Sequence, residues 1–265
     1  PDNPVELLGL NKGSVERRRP HAPPPSSSMG VAKTSLPISW AITGLWVIVI
    51  LAIGFATLPL SPATELSLLR KSVTGTADRC QILHTTPPSD LASLTELNLK
   101  ECGISSIPTE IGYCTSLQKL DVSSNPMLKT LPKELAKCAN LEILFSSSNP
   151  GMSVLPSVLG AMPSITRLGW RSGTLTKLEA TSIPPNVVHL ILTNNQIIQL
   201  NDDDLFDRLR NVRKLMLSHN HICSISSTGV SQLRELELLR LAGNQLTAIP
   251  DNLWTLPKLT WLTIS

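Results

Sequence analysis

The chain has 265 residues, of which 45 are Leu and only nine are aromatic (Trp 5, Phe 3, Tyr 1). So few rings exclude a core built on large side chains, and the length suits a repeat array that buries one aliphatic layer per turn. A formal net charge of +3, scattered along the chain, excludes a nucleic-acid surface. The five cysteines (Cys80, Cys102, Cys114, Cys138, Cys223) cannot all pair and match no zinc spacing.

Residues 1–35 lack apolar periodicity. Arg17, Arg18 and Arg19 lead into a Pro- and Ser-rich stretch that cannot bury enough surface to offset its ordering entropy, so this tail is expected to be disordered. Met29-Gly30-Val31-Ala32-Lys33-Thr34 fits a myristoylation pattern only if Met29 begins the protein. No charge occurs between Lys33 and Glu65. Ile38 to Leu60, 23 nearly all-apolar residues, would make roughly 34 Å of helix against a hydrocarbon core of about 30 Å. A transmembrane helix is therefore expected over 36–60, with Trp40 near one interface. A cleaved signal sequence and a buried soluble helix are the alternatives. Lys33 and Arg17–Arg19 favour a cytoplasmic N-terminus. The lack of any Asn-x-Ser/Thr acceptor and of a disulfide-like cysteine arrangement favours a cytoplasmic array, so the two orientations stand in balance. Residues 61–93 form a linker that includes a cap for the first coil.

From Leu94 to the end, one template recurs: L-x-x-L-x-L-x-x-N-x-L. Its copies begin at Leu94, Leu117, Leu141, Ile165, Val187, Val212 and Leu236, and an eighth, cut off at Ser265, begins at Leu259. Each L-x-L predicts a short strand whose leucines point inward while the x positions face a concave side. The chain then turns, and an Asn there can satisfy backbone groups that the strand ladder leaves open. Asn125, Asn149, Asn195, Asn220 and Asn244 fill that place; Cys102, a tolerated substitute, and Gly173 depart from it. Pro108, Pro132, Pro156 and Pro250 each start a short helical turn in the opposite half. Cys114 and Cys138 precede repeat starts by three residues and read as small buried side chains. Ser146 takes an inward Leu position, and Trp170 takes the same one a coil later, so Trp170 is expected to fill the space Ser146 leaves.

This pattern resembles leucine-rich repeat proteins over residues 94–265, seven complete repeats and an eighth begun. The fold implied is an α/β solenoid with parallel strands on the concave face and short helices or 3-10 turns on the convex face. The I/L-P-x-x-I/L halves are similar to intracellular, Ras-group-like repeats, which implies a reducing compartment. The runs Asn140-Leu-Glu-Ile-Leu-Phe145, Ile183-Pro-Pro-Asn-Val-Val-His-Leu-Ile-Leu-Thr-Asn194, Arg213-Lys-Leu-Met-Leu217 and Leu236-Glu-Leu-Leu-Arg-Leu-Ala-Gly-Asn244 resemble arrays that precede a protein kinase domain. That resemblance implies a kinase after Ser265, with this chain as its sensing or regulatory half.

No Gly-rich phosphate loop, H-R-D, D-F-G, H-E-x-x-H or G-x-S-x-G motif occurs, so neither an enzyme nor a cofactor is expected in this chain. His219, His221 and Cys223 alternate, but the turn at Asn220 breaks a shared metal-binding face. Asp202-Asp203-Asp204 reads as a helix N-cap. The outward strand positions are more telling. One column runs Glu96, Lys119, Ile143, Arg167, His189, Lys214, Leu238, Trp261, and its neighbour runs Asn98, Asp121, Phe145, Gly169, Ile191, Met216, Arg240, Thr263. Ile143, Phe145, Ile191, Met216, Leu238 and Trp261 are apolar where solvent is expected, and Arg167, Arg171, Lys214 and Arg240 stand among them. Such a mixture has the composition of a protein interface. The expectation is a membrane-anchored scaffold or receptor-like module whose concave face binds a protein partner with acidic and apolar groups. The alternative is surface apolar residues that merely pack on one another.

Overall fold

The computed structural model describes residues 76–264. The tail, the Ile38–Leu60 segment and the first part of the 61–93 linker lie outside the described residues, as does Ser265. Among the described residues, no helix is long and apolar enough to cross a membrane.

Two short helices come first: α1 (Thr76–Thr85) and α2 (Pro88–Leu91), the latter with Pro88 in its opening turn, where a missing N–H costs nothing. Leu83 and Leu91 are buried against the apolar end of the first coil, which would otherwise face water. Arg79 Nη2 donates to the Lys100 carbonyl at 2.6 Å, and Cys80 is disulfide-bonded to Cys102, 22 residues on. This corrects the expectation that the cysteines lack a disulfide-like arrangement. Cys80 stands outside the repeat template, so no repeat spacing pairs it with Cys102; the bond joins a capping helix to the turn of coil one.

Eight strands then pair in parallel and in chain order. They are β1 (Glu96–Asn98), β2 (Lys119–Asp121), β3 (Ile143–Phe145), β4 (Arg167–Gly169), β5 (His189–Ile191), β7 (Lys214–Met216), β9 (Leu238–Arg240) and β10 (Trp261–Thr263). A separate two-stranded sheet joins β6 (Gln199–Leu200) to β8 (Ser224–Ile225). In the long sheet Leu97, Leu120, Leu144, Leu168, Leu190, Leu215, Leu239 and Leu262 fall in one register row. All but Leu262, in the last coil, are buried, while most of their strand neighbours are not, as period-two alternation requires. Pro108, Pro132, Pro156 and Pro250 each precede a 3-10 turn, at Thr109–Tyr113, Lys133–Lys137, Ser157–Ala161 and Asp251–Thr255. In the coils between, a 3-10 turn without the proline (Ala180–Ser182) comes first, and helices α3 (Asp203–Arg208) and α4 (Ser227–Val230) replace it in the next two.

The first seven strands of the long sheet each leave it through a left-handed residue. Glu101, Ser124, Ser148, Ser172, Asn194 and His219 have φ between 53° and 62°, and Gly243 has φ 71°; each directly precedes the ladder position. There the asparagines bridge coils. Asn220 Nδ2 donates to Leu217 O of its own coil (2.9 Å) and Leu192 O of the preceding one (3.0 Å), while Oδ1 accepts from Ile197 N (3.1 Å). Asn125, Asn195 and Asn244 repeat this pattern. Gly173 fits rather than disrupts it, since a Cβ there would lie 2.8 Å from Asn195 Oδ1. A second ladder runs along the other end of the strands. Asn140, Asn186 and Asn211 donate to the carbonyls of Thr115, Pro163 and Pro185, and Ser164 donates to Ala139.

Ser146 and Trp170 are both wholly buried at equivalent positions of adjacent coils. Ser146 Oγ accepts from Asn149 Nδ2 at 2.7 Å, whereas the indole N–H of Trp170 has no partner. Cys114 and Cys138 are buried free thiols. Burial pushes the first up to about 11, and burial together with Cys114 pushes the second up to about 12.

Candidate functional site

Register pairing sets the two outward columns side by side. Ile143, Arg167, His189, Lys214, Leu238 and Trp261 are successive Cα partners in one row, and Phe145, Gly169, Ile191, Met216 and Arg240 in the other. Neighbouring strands lie about 4.8 Å apart, so side chains in a row can touch. Ile143, Phe145, Ile191, Met216, Leu238 and Trp261 are half-buried, and Lys214 is too; Arg167 and Arg240 are exposed. Arg171 is exposed just beyond β4, where its backbone N–H donates to Ser147 Oγ at 3.2 Å.

The apolar part has a floor at Gly169. A Cβ built there would lie 2.6 Å from Phe145 Cδ1, so the ring occupies the space a side chain would need. Gly169 is buried beneath it. Phe145 is thus partly a packing residue as well as a surface one.

The charged part is unbalanced. Among the described residues, Arg167, Arg171, Lys214 and Arg240 make no ion pair, whereas cations at the borders are matched: Lys119 to Glu96 (3.4 Å), Arg213 to Glu237 (2.9 Å) and Lys258 to Glu235 (2.6 Å). The Lys258 hydrogen bond holds the Glu235 carboxyl below its usual range. His189 lies between Arg167 and Lys214 in the row. Its burial, then Lys214, Arg167 and Arg213, push its pKa below the ordinary imidazole value, with only Glu237 opposing. Sequence reasoning placed His189 in this column without giving it a role; the signal was its position between two cations one coil away on either side.

The remaining polar motifs are structural. Asp202 caps α3 by accepting from Asp204 N at 3.0 Å, and Asp203 accepts from Ser226 Oγ (2.8 Å) and Thr228 Oγ1 (3.2 Å) across coils. His219 sits in the left-handed turn, His221 Nδ1 meets Gln245 Nε2 at 3.3 Å, and Cys223 Sγ donates to Ile198 O at 3.4 Å. The buried Asn220 separates these three, and among the described residues no cluster of His, Cys, Asp or Glu could hold a metal ion.

Two leucine-rich repeat family models match the chain, one over residues 185–246 and 210–265, the other over 93–114 and 116–138. The chain is 35% identical over 109 residues to Tsukushi of Xenopus tropicalis, covering 36% of this chain and 30% of that protein. It is 33% identical over 109 residues to Tsukushi-A of Xenopus laevis, with the same coverage of 36% and 30%. It therefore spans less than a third of the length of these curated relatives. Among solved structures, a leucine-rich repeat protein of Leptospira interrogans aligns over 68% of this chain and 56% of that one, with 22% identity and a TM-score of 0.43. The chain thus matches leucine-rich repeat models over residues 93–114, 116–138 and 185–265.

Proposed function

We propose that the sheet face from β3 to β10 docks a protein partner that presents apolar and acidic side chains together, and that the Ile38–Leu60 helix holds the array at a membrane. The observation that carries the docking reading is the set of four cations that make no ion pair among the described residues, beside half-buried Phe145, Ile191, Met216 and Leu238. Charge complementarity orients a partner and speeds its approach, while desolvated apolar contacts supply affinity. The inward leucines and both ladders carry the fold, and of these outward residues Phe145, packed over Gly169, shares in it.

The Cys80–Cys102 disulfide supports placing the array outside the cell or in a lumen, because such bonds persist in oxidising compartments. It speaks against a kinase on the same side of the membrane, which would lack cytosolic ATP. The docking test is a Met216→Asp, Arg240→Glu variant of the full chain, assayed for the partner that crosslinks to the wild type. Loss of the crosslink at an unchanged melting temperature is the expected result; a wild-type yield refutes the assignment. Protease protection of a C-terminal tag in sealed membranes tests the topology, and digestion without detergent refutes it.

A further inference from the structure

We propose that Arg167, His189 and Lys214 together form an acid-strengthened recognition row for an extended acidic segment of the partner, with His189 taking up a proton as the segment binds. This deepens the docking reading and rests on it.

The three residues occupy one register position on β4, β5 and β7. Two permanent cations therefore stand about 10 Å apart with an imidazole between them. Like charges set across neighbouring strands repel. No carboxylate of the described array neutralises Arg167 or Lys214, and the nearby Arg213 is already engaged by Glu237 at 2.9 Å. The row carries two positive charges and no negative one among the described residues. In the same strands the adjoining row is Gly169, Ile191 and Met216, with the Phe145 ring lying over Gly169. A charged row thus runs parallel to an apolar one. From β3 to β9 is four strand steps, about 19 Å, which about six residues of extended chain span. A segment interleaving acidic and apolar residues matches both rows. A sulfated sugar would match only the first.

The groups facing His189 are Arg167 on β4, Lys214 on β7, Arg213 just before β7 and Glu237 just before β9. Three of the four favour the neutral ring, and burial adds to them. A carboxylate seated between Arg167 and Lys214 reverses that balance and favours the imidazolium. The bound pKa then exceeds the free one, so the complex holds more protons than the free protein between those values. Affinity must rise as pH falls through that window, by up to about tenfold per pH unit for one proton.

The experiment is fluorescence anisotropy of the full chain with an eight-residue peptide interleaving Asp and Leu, at pH 7.5 and 5.5 in fixed salt. Asp, with a reference pKa of about 3.9, stays ionised across that range. The expected result is binding about tenfold tighter at pH 5.5, abolished as a pH response by His189→Gln and lost at both pH values in Arg167→Glu, Lys214→Glu. Equal affinity at both pH values, or a pH response that survives in His189→Gln, overturns the inference and leaves the docking reading standing. No binding at either pH overturns both. A sulfated oligosaccharide that binds through Arg167 and Lys214 while the peptide does not overturns the choice of a protein segment.

Discussion

Replacing Cys80 and Cys102 with Ser tests how the array is closed. The bond spans 22 residues. On the chain-entropy relation, closing a loop of that length restricts the unfolded chain by about 11 cal/mol/K, or about 3.4 kcal/mol at 25 °C. In a solenoid each coil touches only its neighbours, so the loss should be local. Hydrogen exchange reads it directly. The bonds Leu99 N to Asp121 O and Glu101 N to Ser123 O, in coil one, should exchange about 300-fold faster in the double variant. Leu192 N to Met216 O, in the fifth coil, should be unchanged. Thiol counting supplies an independent check. Unreduced denatured protein should react at Cys114, Cys138 and Cys223 only, and the native protein at the exposed Cys223 alone. Five reactive thiols without reductant, or unchanged exchange in coil one of the double variant, would refute the account of the cap.

Asn220→Ala removes three hydrogen bonds. Leu192 O and Leu217 O keep Asn195 and Asn244 as donors, so only Ile197 N is left buried and unpaired. At about 0.5–1.5 kcal/mol per lost bond and about 1–3 kcal/mol for the unpaired group, the expected loss is about 2–6 kcal/mol by denaturant titration. Trp170→Ala should cost about 3–5 kcal/mol; Trp170→Phe should cost less, because it also removes an indole N–H that has no partner, and an unchanged melting temperature in Trp170→Ala would sink the packing argument. Gly169→Ala places a Cβ 2.6 Å from Phe145 Cδ1, which should displace the ring, cost about 1–3 kcal/mol by overpacking and weaken binding of the Asp/Leu peptide; wild-type affinity in that variant would show that the ring's seat is irrelevant to docking.

The in-register rows of the sheet were legible because L-x-L is fixed in phase within every coil. Repeat lengths vary from 22 to 25 residues by the template starts, and that variation is absorbed beyond the strands, where α3 and α4 stand in for 3-10 turns. The Asn ladder was legible for the same reason. Its companion was not, since Asn140, Ser164, Asn186 and Asn211 lie ahead of each template and mix residue types; only the shared geometry of donating to the preceding coil unites them. Pairing of Cys80 was invisible because the partner belongs to the repeats and Cys80 does not. The seat of Phe145 on Gly169 and the setting of His189 depend on neighbours one strand away, which periodicity places but does not characterise.

Buried free cysteines of the intracellular kind and a disulfide at the cap look incompatible, yet their chemistry separates them. Exchange needs a thiolate to attack a disulfide sulfur, and its rate follows the thiolate fraction and access. Burial holds Cys114 and Cys138 near 11 and 12, so almost no thiolate forms at neutral pH, and neither sulfur is open to solvent. Cys138 is further engaged, its Sγ donating to Ile111 O at 3.2 Å. These two thiols can therefore serve as small apolar wedges between coils without threatening the Cys80–Cys102 bond. The resemblance of the convex halves to intracellular repeats therefore carries no weight against an oxidising compartment. The oxidising compartment proposed above rests instead on the Cys80–Cys102 bond, which departs from repeat logic by joining a cysteine ahead of the array to the first ladder position.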